Sequence, residues 1–219
     1  MDSNYKQRMI ERVLNNQDKF SAWSDEQREQ SLTQAIAHFD ELKDVWVFGY
    51  GSLIWRPEFD FEESHIATLQ GYRRDLCLWS TVNRGTPDNP GLVFGLIEGG
   101  ECQGKVFRLS NHNLLMQLRK LWQRELPNSS YIVKWLPCET AKGTVQALAF
   151  VMDPHPDNYA FIPNLSEEDT IDIVLSTSGS RGPCSEYVLE TSDALEAANI
   201  KDDKLKQLAD KIKARLQPS

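Results

Sequence analysis

The chain has 219 residues, with 24 Lys or Arg and 32 Asp or Glu, and therefore a formal net charge of −8 at pH 7. A hydrophobic fraction of 40% excludes a disordered chain, and this length can bury a core without metal or disulfide support. The acidic balance argues against a nucleic-acid-binding protein, because phosphate binding needs clustered basic residues. No apolar run of about 18 residues is present, so we expect no membrane span.

Four widely spaced cysteines contain no CxxC pair and therefore offer no zinc ribbon. We expect these cysteines to be reduced and mostly buried, as is typical of a cytoplasmic protein. The four histidines are isolated from one another, and neither an HExxH motif nor a glycine-rich nucleotide-binding motif occurs. We therefore expect no metal and no cofactor.

We predict an N-terminal helical extension over residues 1–44 and the main domain over residues 45–219. A capping-box pattern over Ser24 to Gln27 precedes apolar residues at helical spacing. These apolar residues are Leu32, Ala35, Ile36 and Phe39.

From Val45 onward, short segments rich in β-forming residues alternate with polar and glycine-containing loops. Strands are predicted over 45–48, 65–69, 72–80, 92–98, 102–109, 131–136 and 144–152, with a hairpin at Gly99-Gly100. Helices are predicted from 111 to about 125 with Ser110 as the cap, and near 167–176, 183–199 and 202–217. Strands and helices do not alternate regularly, so the predicted class is α+β with a mixed or antiparallel sheet. A small closed barrel flanked by helices is one form that such a sheet can take.

A strand runs into a glycine-flanked turn in the segment FGYGSLIW, residues 48–55. Glycines allow backbone amides to approach a ligand and point in one direction, which suits a carboxylate or an oxyanion. Tyr50 and Ser52 add hydroxyl groups. Taken by itself, the segment is more typical of a plain turn at the end of a strand.

Glu125 follows Trp122 by three positions and Leu121 by four, so it falls on the apolar face of the predicted helix. A carboxylate desolvated there would exchange a proton near neutral pH. Arg124 need not neutralise it, because adjacent helix positions do not face each other. The pattern alone somewhat favours the alternative, a frayed helix end with Glu125 in water.

Five features occur in a set order along the chain. They are FGYGSLIW, Gly71-Tyr-Arg-Arg74, the loop Arg84-Gly-Thr-Pro-x-x-Pro-Gly91, the pair Arg124-Glu125, and Ser185-Glu-Tyr187. Together they resemble the ChaC family of γ-glutamylcyclotransferases over about residues 45–189. The resemblance implies a small mixed barrel flanked by helices, and cleavage of glutathione to 5-oxoproline and Cys-Gly. It also implies that glutathione is the small-molecule partner and that the protein is a monomer or a weak dimer. No cofactor, nucleic acid or membrane is implied.

The resemblance also implies roles for single residues. Glu125 would be the catalytic acid and base. The residues expected to bind substrate are Gly49, Tyr50, Gly51, Ser52, Leu53, Ile54, Arg73, Tyr131 and Tyr187. Arg74 and Arg84 are further candidates to meet the substrate carboxylates, although each is equally well explained as a surface arginine.

One departure from the family pattern concerns the segment after Glu125. Relatives often carry a Gly-Gly-Tyr-like segment there, whereas this chain has Leu126-Pro-Asn-Ser-Ser130 before Tyr131. This segment keeps open a cyclotransferase for γ-glutamyl amines or other γ-glutamyl compounds. A second alternative is a non-catalytic interaction protein on the same fold that uses its helical ends for partners, although the retained Glu125 and glycine-flanked turn count against it.

The implied reaction is an intramolecular aminolysis, in which the substrate's own α-amine attacks its γ-carbonyl. No Ser or Cys nucleophile is needed, which agrees with the lack of a nucleophile-elbow motif. The turn over residues 49–54 would stabilise charge on the substrate, and Glu125 would move the proton.

Overall fold

The computed structural model describes residues 4–16, 22–37 and 44–217. The helices are α1 Tyr5–Leu14, α2 Asp25–Ile36, α3 Leu114–Glu125, α4 Glu167–Ser176, α5 Cys184–Ala197 and α6 Asp203–Leu216. The strands are β1 Trp46–Gly49, β2 Phe61–Ser80, β3 Gly91–Leu109, β4 Tyr131–Thr140, β5 Gly143–Met152, β6 Ser178–Gly179 and β7 Gly182–Pro183. The predicted helical position Phe39 lies outside the described residues.

Five strands close into a barrel in the order β1-β3-β2-β4-β5. Strand β1 pairs antiparallel with β3 and parallel with β5, while β4 pairs antiparallel with both β2 and β5. This mixed barrel with helices before and after it confirms the predicted α+β class. In the described part of the chain, no helix combines the length and the apolar character that a membrane crossing requires.

The chain divides into two compact units. The first comprises Met1–Phe20, Asp75–Gly95 and Pro154–Ser219, and the second comprises Ser21–Arg74 and Leu96–Asp153. Strands β2 and β3 contribute residues to both units. The predicted boundary between an extension and a main domain at residues 44 and 45 stays a prediction.

Three helices at the end of the chain pack together in the first unit, where α4, α5 and α6 contact one another pairwise. Their buried apolar side chains include Ile171, Val174, Val188, Leu195 and Ile212. Helix α1 belongs to the same unit, and the Tyr5 hydroxyl donates to the Pro163 carbonyl at 2.5 Å.

The second unit has its core between α2, α3 and the barrel strands β1 and β5. The indole of Trp122 packs edge-on against Phe150 with ring centroids 5.6 Å apart, and its Nε1 donates to Ser31 Oγ at 3.2 Å. Leu32 of α2 is buried in the same cluster. Helix α2 therefore packs directly against the helix that ends at Glu125.

The predicted hairpin at Gly99-Gly100 is wrong, because β3 continues through both glycines as one strand. The two residues adopt φ values of 97° and 82°, which glycine reaches without steric cost. The strand therefore bends at this point instead of reversing, and local turn residues alone did not distinguish the two outcomes.

The predicted start of α3 is also wrong. The helix begins at Leu114 after Asn113, which has φ 55° and makes no side-chain cap, so Ser110 is not the cap. The Gln117 amide donates to the Ser110 and His112 carbonyls at 3.0 and 2.8 Å and holds this segment outside the helix. Leu115 of this helix is 41% exposed, whereas Leu114, Leu118 and Leu121 are buried.

Candidate active site

Strand β1 ends at Gly49, and the chain then forms a short 3-10 turn over Ser52–Ile54. The Ile54 amide donates to the Gly51 carbonyl at 3.0 Å. The amides of Ser52 and Leu53 come before this bond and have no partner inside the turn. A Cβ at Gly49 would lie 3.0 Å from the Leu53 Cβ and 3.1 Å from Phe107 Cε2, so a larger residue would require these side chains to shift by a few tenths of an ångström. The predicted turn is therefore present, and the binding of a ligand by its amides stays a prediction.

Tyr50 is anchored at both of its polar ends. Its hydroxyl donates to the Phe150 carbonyl at 2.8 Å, and its own carbonyl accepts a bond from the Nε of Arg74. Because the only hydroxyl proton is used in the core, Tyr50 cannot donate that proton to a ligand, which corrects the expectation that it adds a donor there. The contact of its other atoms with substrate stays a prediction.

Two adjacent arginines of β2 have different environments. Arg74 is buried, and its Nη2 donates to the Gln103 carbonyl at 2.7 Å in addition to the bond to Tyr50. Arg73 is exposed, and its Nη1 donates to the Glu98 carbonyl at 2.6 Å. Arg74 is therefore not a surface residue but an anchor of the turn, and binding of substrate by Arg73 stays a prediction.

Glu125 is the last residue of α3, and its side chain is 17% exposed. The apolar face behind it is buried through Leu121 and Trp122, so its predicted placement on that face agrees with the structure. Arg124 does contact this carboxylate, because its Nε lies 3.0 Å from Glu125 Oε1. The helical rule describes where Cβ atoms point, whereas a long arginine side chain at a helix end can fold back to its neighbour.

Arg124 joins the helix end to the turn. Its Nη2 donates to Ser52 Oγ at 3.1 Å, and its Nη1 lies 3.0 Å from Glu58 Oε2. The same Nη1 donates to the carbonyl of Pro57 at 3.3 Å. The candidate acid and the glycine-flanked turn are therefore connected through one guanidinium.

The segment that departs from the family pattern is ordered by backbone contacts. The Pro127 carbonyl accepts from the Trp23 amide at 2.9 Å, and the Ser130 amide donates to Asn128 Oδ1 at 3.0 Å. Tyr131 then starts β4 opposite Met152 and packs partly buried against the core of the second unit. Its contact with substrate stays a prediction.

Tyr187 and Arg84 lie in the first unit. The Tyr187 hydroxyl accepts from the Phe94 amide at 3.2 Å, and the Arg84 guanidinium lies 5.4 Å from the ring centroid. Arg84 is buried and donates to the Pro183 carbonyl at 3.0 Å, with Glu186 3.9 Å away. Arg84 therefore stabilises the start of α5, and the part of Tyr187 in a site with Glu125 stays a prediction.

All four cysteines are buried and outside any disulfide, as predicted. Burial raises the pKa of Cys138 to about 12, with a smaller contribution from Cys102. Burial also raises the pKa of Cys184, against the opposing effect of a hydrogen bond to Leu92. Neither thiol has the low pKa of a nucleophile. Within 4–16, 22–37 and 44–217, no group of three His, Cys, Asp or Glu side chains is arranged to hold a metal.

The fold is that of γ-glutamyl cyclotransferases. A crystal structure of a γ-glutamyl cyclotransferase specific to glutathione from yeast superposes with a TM-score of 0.70 at 20% identity, covering 78% of this chain and 96% of that one. YkqA from Bacillus subtilis superposes with a TM-score of 0.52 at 16% identity, covering 84% of this chain and 59% of that one. At these identities the likeness concerns the fold alone.

The sequence comparison identifies the family. The ChaC-like protein family matches residues 45–215. The chain is 36% identical over 200 residues to the glutathione-specific γ-glutamylcyclotransferase of Escherichia coli (strain K12), covering 89% of this chain and 84% of the relative. It is 29% identical over 175 residues to glutathione-specific γ-glutamylcyclotransferase 1 of Homo sapiens, covering 77% and 78%. The chain therefore belongs to the ChaC-like protein family.

Proposed function

We propose that the protein cleaves the γ-glutamyl bond of glutathione and releases 5-oxoproline and Cys-Gly. One observation carries the proposal, namely the partly buried Glu125 connected through Arg124 to Ser52 of the glycine-flanked turn. The names of the relatives in Escherichia coli and Homo sapiens, both glutathione-specific γ-glutamylcyclotransferases, support the same substrate.

The reaction forms one bond and breaks another within the substrate. The α-amine of the γ-glutamyl group attacks the γ-carbonyl, a five-membered lactam closes, and the bond to the cysteine nitrogen breaks. The attacking group belongs to the substrate, so the protein has to hold the arm in a ring-closing conformation. Such positioning can lower a barrier by roughly 7–11 kcal/mol.

Glu125 would handle the proton. A guanidinium 3.0 Å away stabilises its ionised form, which is the form that can accept a proton from the substrate ammonium. The carboxylic acid so formed would then give that proton to the leaving nitrogen. The restored carboxylate would take the second proton, which the ring nitrogen loses as the lactam forms, and pass it to the amine of the departing Cys-Gly. Acid–base catalysis of this kind contributes about 10²–10⁴-fold to a rate. The amides of Ser52 and Leu53 would bind the substrate carboxylate or the oxyanion of the γ-carbonyl.

The domain boundary and the location of the protein form part of the same proposal. The family match begins at residue 45, which supports a cyclotransferase domain over 45–219 and an added helical segment over 1–44. Four free, buried thiols suit the reducing conditions of the cytoplasm. The protein would act there on a small molecule, without cofactor, nucleic acid or membrane, as a monomer or weak dimer.

The test is an assay for 5-oxoproline released from glutathione by the wild type and by Glu125→Gln. We expect equimolar 5-oxoproline and Cys-Gly from the wild type, and a loss of about 10²-fold or more in kcat for the variant, because the amide cannot take a proton. Glu139→Gln, at an exposed position of β4, is the matched control and should keep wild-type activity. Wild-type turnover by Glu125→Gln would remove this residue from the mechanism.

A second substrate class is favoured by one specific observation, the segment over 126–130 that replaces the family's glycines and leads into Tyr131. Rates on glutathione and on γ-glutamyl-lysine, measured side by side, distinguish the two substrate classes. We expect glutathione to be the faster substrate and EDTA to leave the rate unchanged. Faster release from γ-glutamyl-lysine would favour the second class, and inhibition by EDTA that added metal reverses would contradict the proposed metal-free chemistry.

A further inference from the structure

Arg124 lies between the end of α3 and the turn after β1, with a side chain only 12% exposed. It contacts Glu125 through Nε, Ser52 through Nη2, and Glu58 and the Pro57 carbonyl through Nη1. All three guanidinium nitrogens are therefore used. A side chain that only balanced surface charge would not need so many fixed partners.

The position of Glu125 is unfavourable for a negative charge. It ends α3, where the carbonyl groups of the last turn present the negative end of the helix dipole, and it is largely removed from water. Arg124 contacts Glu125 directly and also contacts Glu58, whose Oε1 in turn lies 2.7 Å from the Nε of Arg56. Two arginines and two glutamates thus form one chain of ion pairs, in which Arg124 is in direct contact with Glu125.

The bond to Ser52 has a separate consequence. A hydroxyl has one proton to donate and two lone pairs that accept. Because Arg124 Nη2 donates to Ser52 Oγ at 3.1 Å, the oxygen faces the guanidinium and the proton is free to point to another acceptor. Ser52 is therefore oriented as a donor beside the amides of the turn.

We propose that Arg124 is a positioning residue that holds Glu125 in its ionised form and orients the Ser52 hydroxyl toward the substrate. This inference rests on the proposed glutathione cleavage and deepens it. Arg124 acts through Glu125 and Ser52 and takes no proton itself, since a guanidinium keeps its charge at every working pH.

The test compares kcat, KM and the pH profile of kcat on glutathione for the wild type, Arg124→Gln and Arg124→Lys. For Arg124→Gln we expect kcat to fall roughly 10²-fold with a smaller change in KM. We also expect the acid limb of its profile to move up by roughly one pH unit or more, because Glu125 loses the adjacent cation. Arg124→Lys should restore the acid limb but not the full kcat, because one ammonium cannot reproduce the planar arrangement of a guanidinium.

The matched control is Arg119→Gln, on the same helix, which loses an exposed ion pair with Glu29 and should keep the wild-type kcat and pH profile. A normal kcat for Arg124→Gln, or a reduced kcat with an unmoved acid limb, would overturn the inference and leave the proposed function intact. If circular dichroism shows that Arg124→Gln does not fold, the kcat of Arg124→Lys becomes the deciding measurement. A wild-type kcat in Arg124→Lys would then overturn the inference. A wild type that releases no 5-oxoproline would remove the proposed function and this inference with it.

Discussion

Arg73 and Arg74 show how one strand gives neighbouring residues of the same type different functions. Successive side chains of a strand point to opposite faces, so one arginine of the pair is exposed and the other is buried. Arg74 uses this direction to bind the carbonyls of Tyr50 and Gln103, both far away in the chain. The geometry of the turn thus depends on a residue that the sequence motif does not distinguish from its neighbour.

We predict that Arg74→Met destabilises the protein and Arg73→Met does not. The first change leaves two carbonyls without their donor, at about 1–3 kcal/mol for each buried group, whereas an exposed substitution typically stays within about 0.5 kcal/mol. Urea unfolding of both variants measures the difference in the free energy of unfolding. Equal stabilities would show that the buried hydrogen bonds of Arg74 contribute little to the fold.

At the scale of elements, α2 supports the helix that carries Glu125. Its capping box joins Ser24 and Gln27, and Leu32 inserts into the core beside Trp122. The Trp135 indole also donates to the Ala35 carbonyl at 2.8 Å, which ties α2 to β4. The second helix of the chain is therefore part of the packing that positions the candidate site.

Leu32→Ala should lower the free energy of unfolding by about 2–5 kcal/mol, because it removes buried methyl groups and leaves a cavity against α3. Gln34→Ala, at an exposed position of the same helix, is the control and should change stability little, since alanine is a good helix former. Chemical denaturation gives both values. A loss below about 1 kcal/mol for Leu32→Ala would mean that α2 is dispensable for the core.

The stability of the whole molecule depends on pH through its buried thiols. The pKa of Cys138 is raised by burial from 9.0 to about 12, so the folded protein keeps a proton that the unfolded chain releases. The stabilisation from this thiol is complete below pH 9, declines as pH rises above that value, and is fully lost only above about pH 12. Cys184 contributes in the same direction.

Between pH 9 and pH 11, the wild type should therefore lose stability faster than Cys138→Ala, by up to about 1.4 kcal/mol per pH unit. Urea unfolding of the two proteins at pH 7, 9, 10 and 11 gives the two slopes, and the comparison cancels the titration of lysines and tyrosines. Parallel slopes would contradict the burial of a protonated thiol at this position.

The sequence alone predicted the α+β class, the glycine-flanked turn after the first strand and the position of Glu125 on the apolar face of α3, but not whether that face is covered at the helix end. Each follows from the spacing of residues within a few positions of one another, which is the range over which strands and helices repeat. The contact of Arg124 with Ser52, 72 positions apart, has no such local signal.

Tertiary structure decided how these pieces are joined. It turned the predicted hairpin at Gly99-Gly100 into a bend, used the Tyr50 hydroxyl in the core and paired Arg124 with Glu125. A buried polar group must find a partner wherever the fold brings one within reach, so the choice depends on the closed barrel and not on neighbours in the chain.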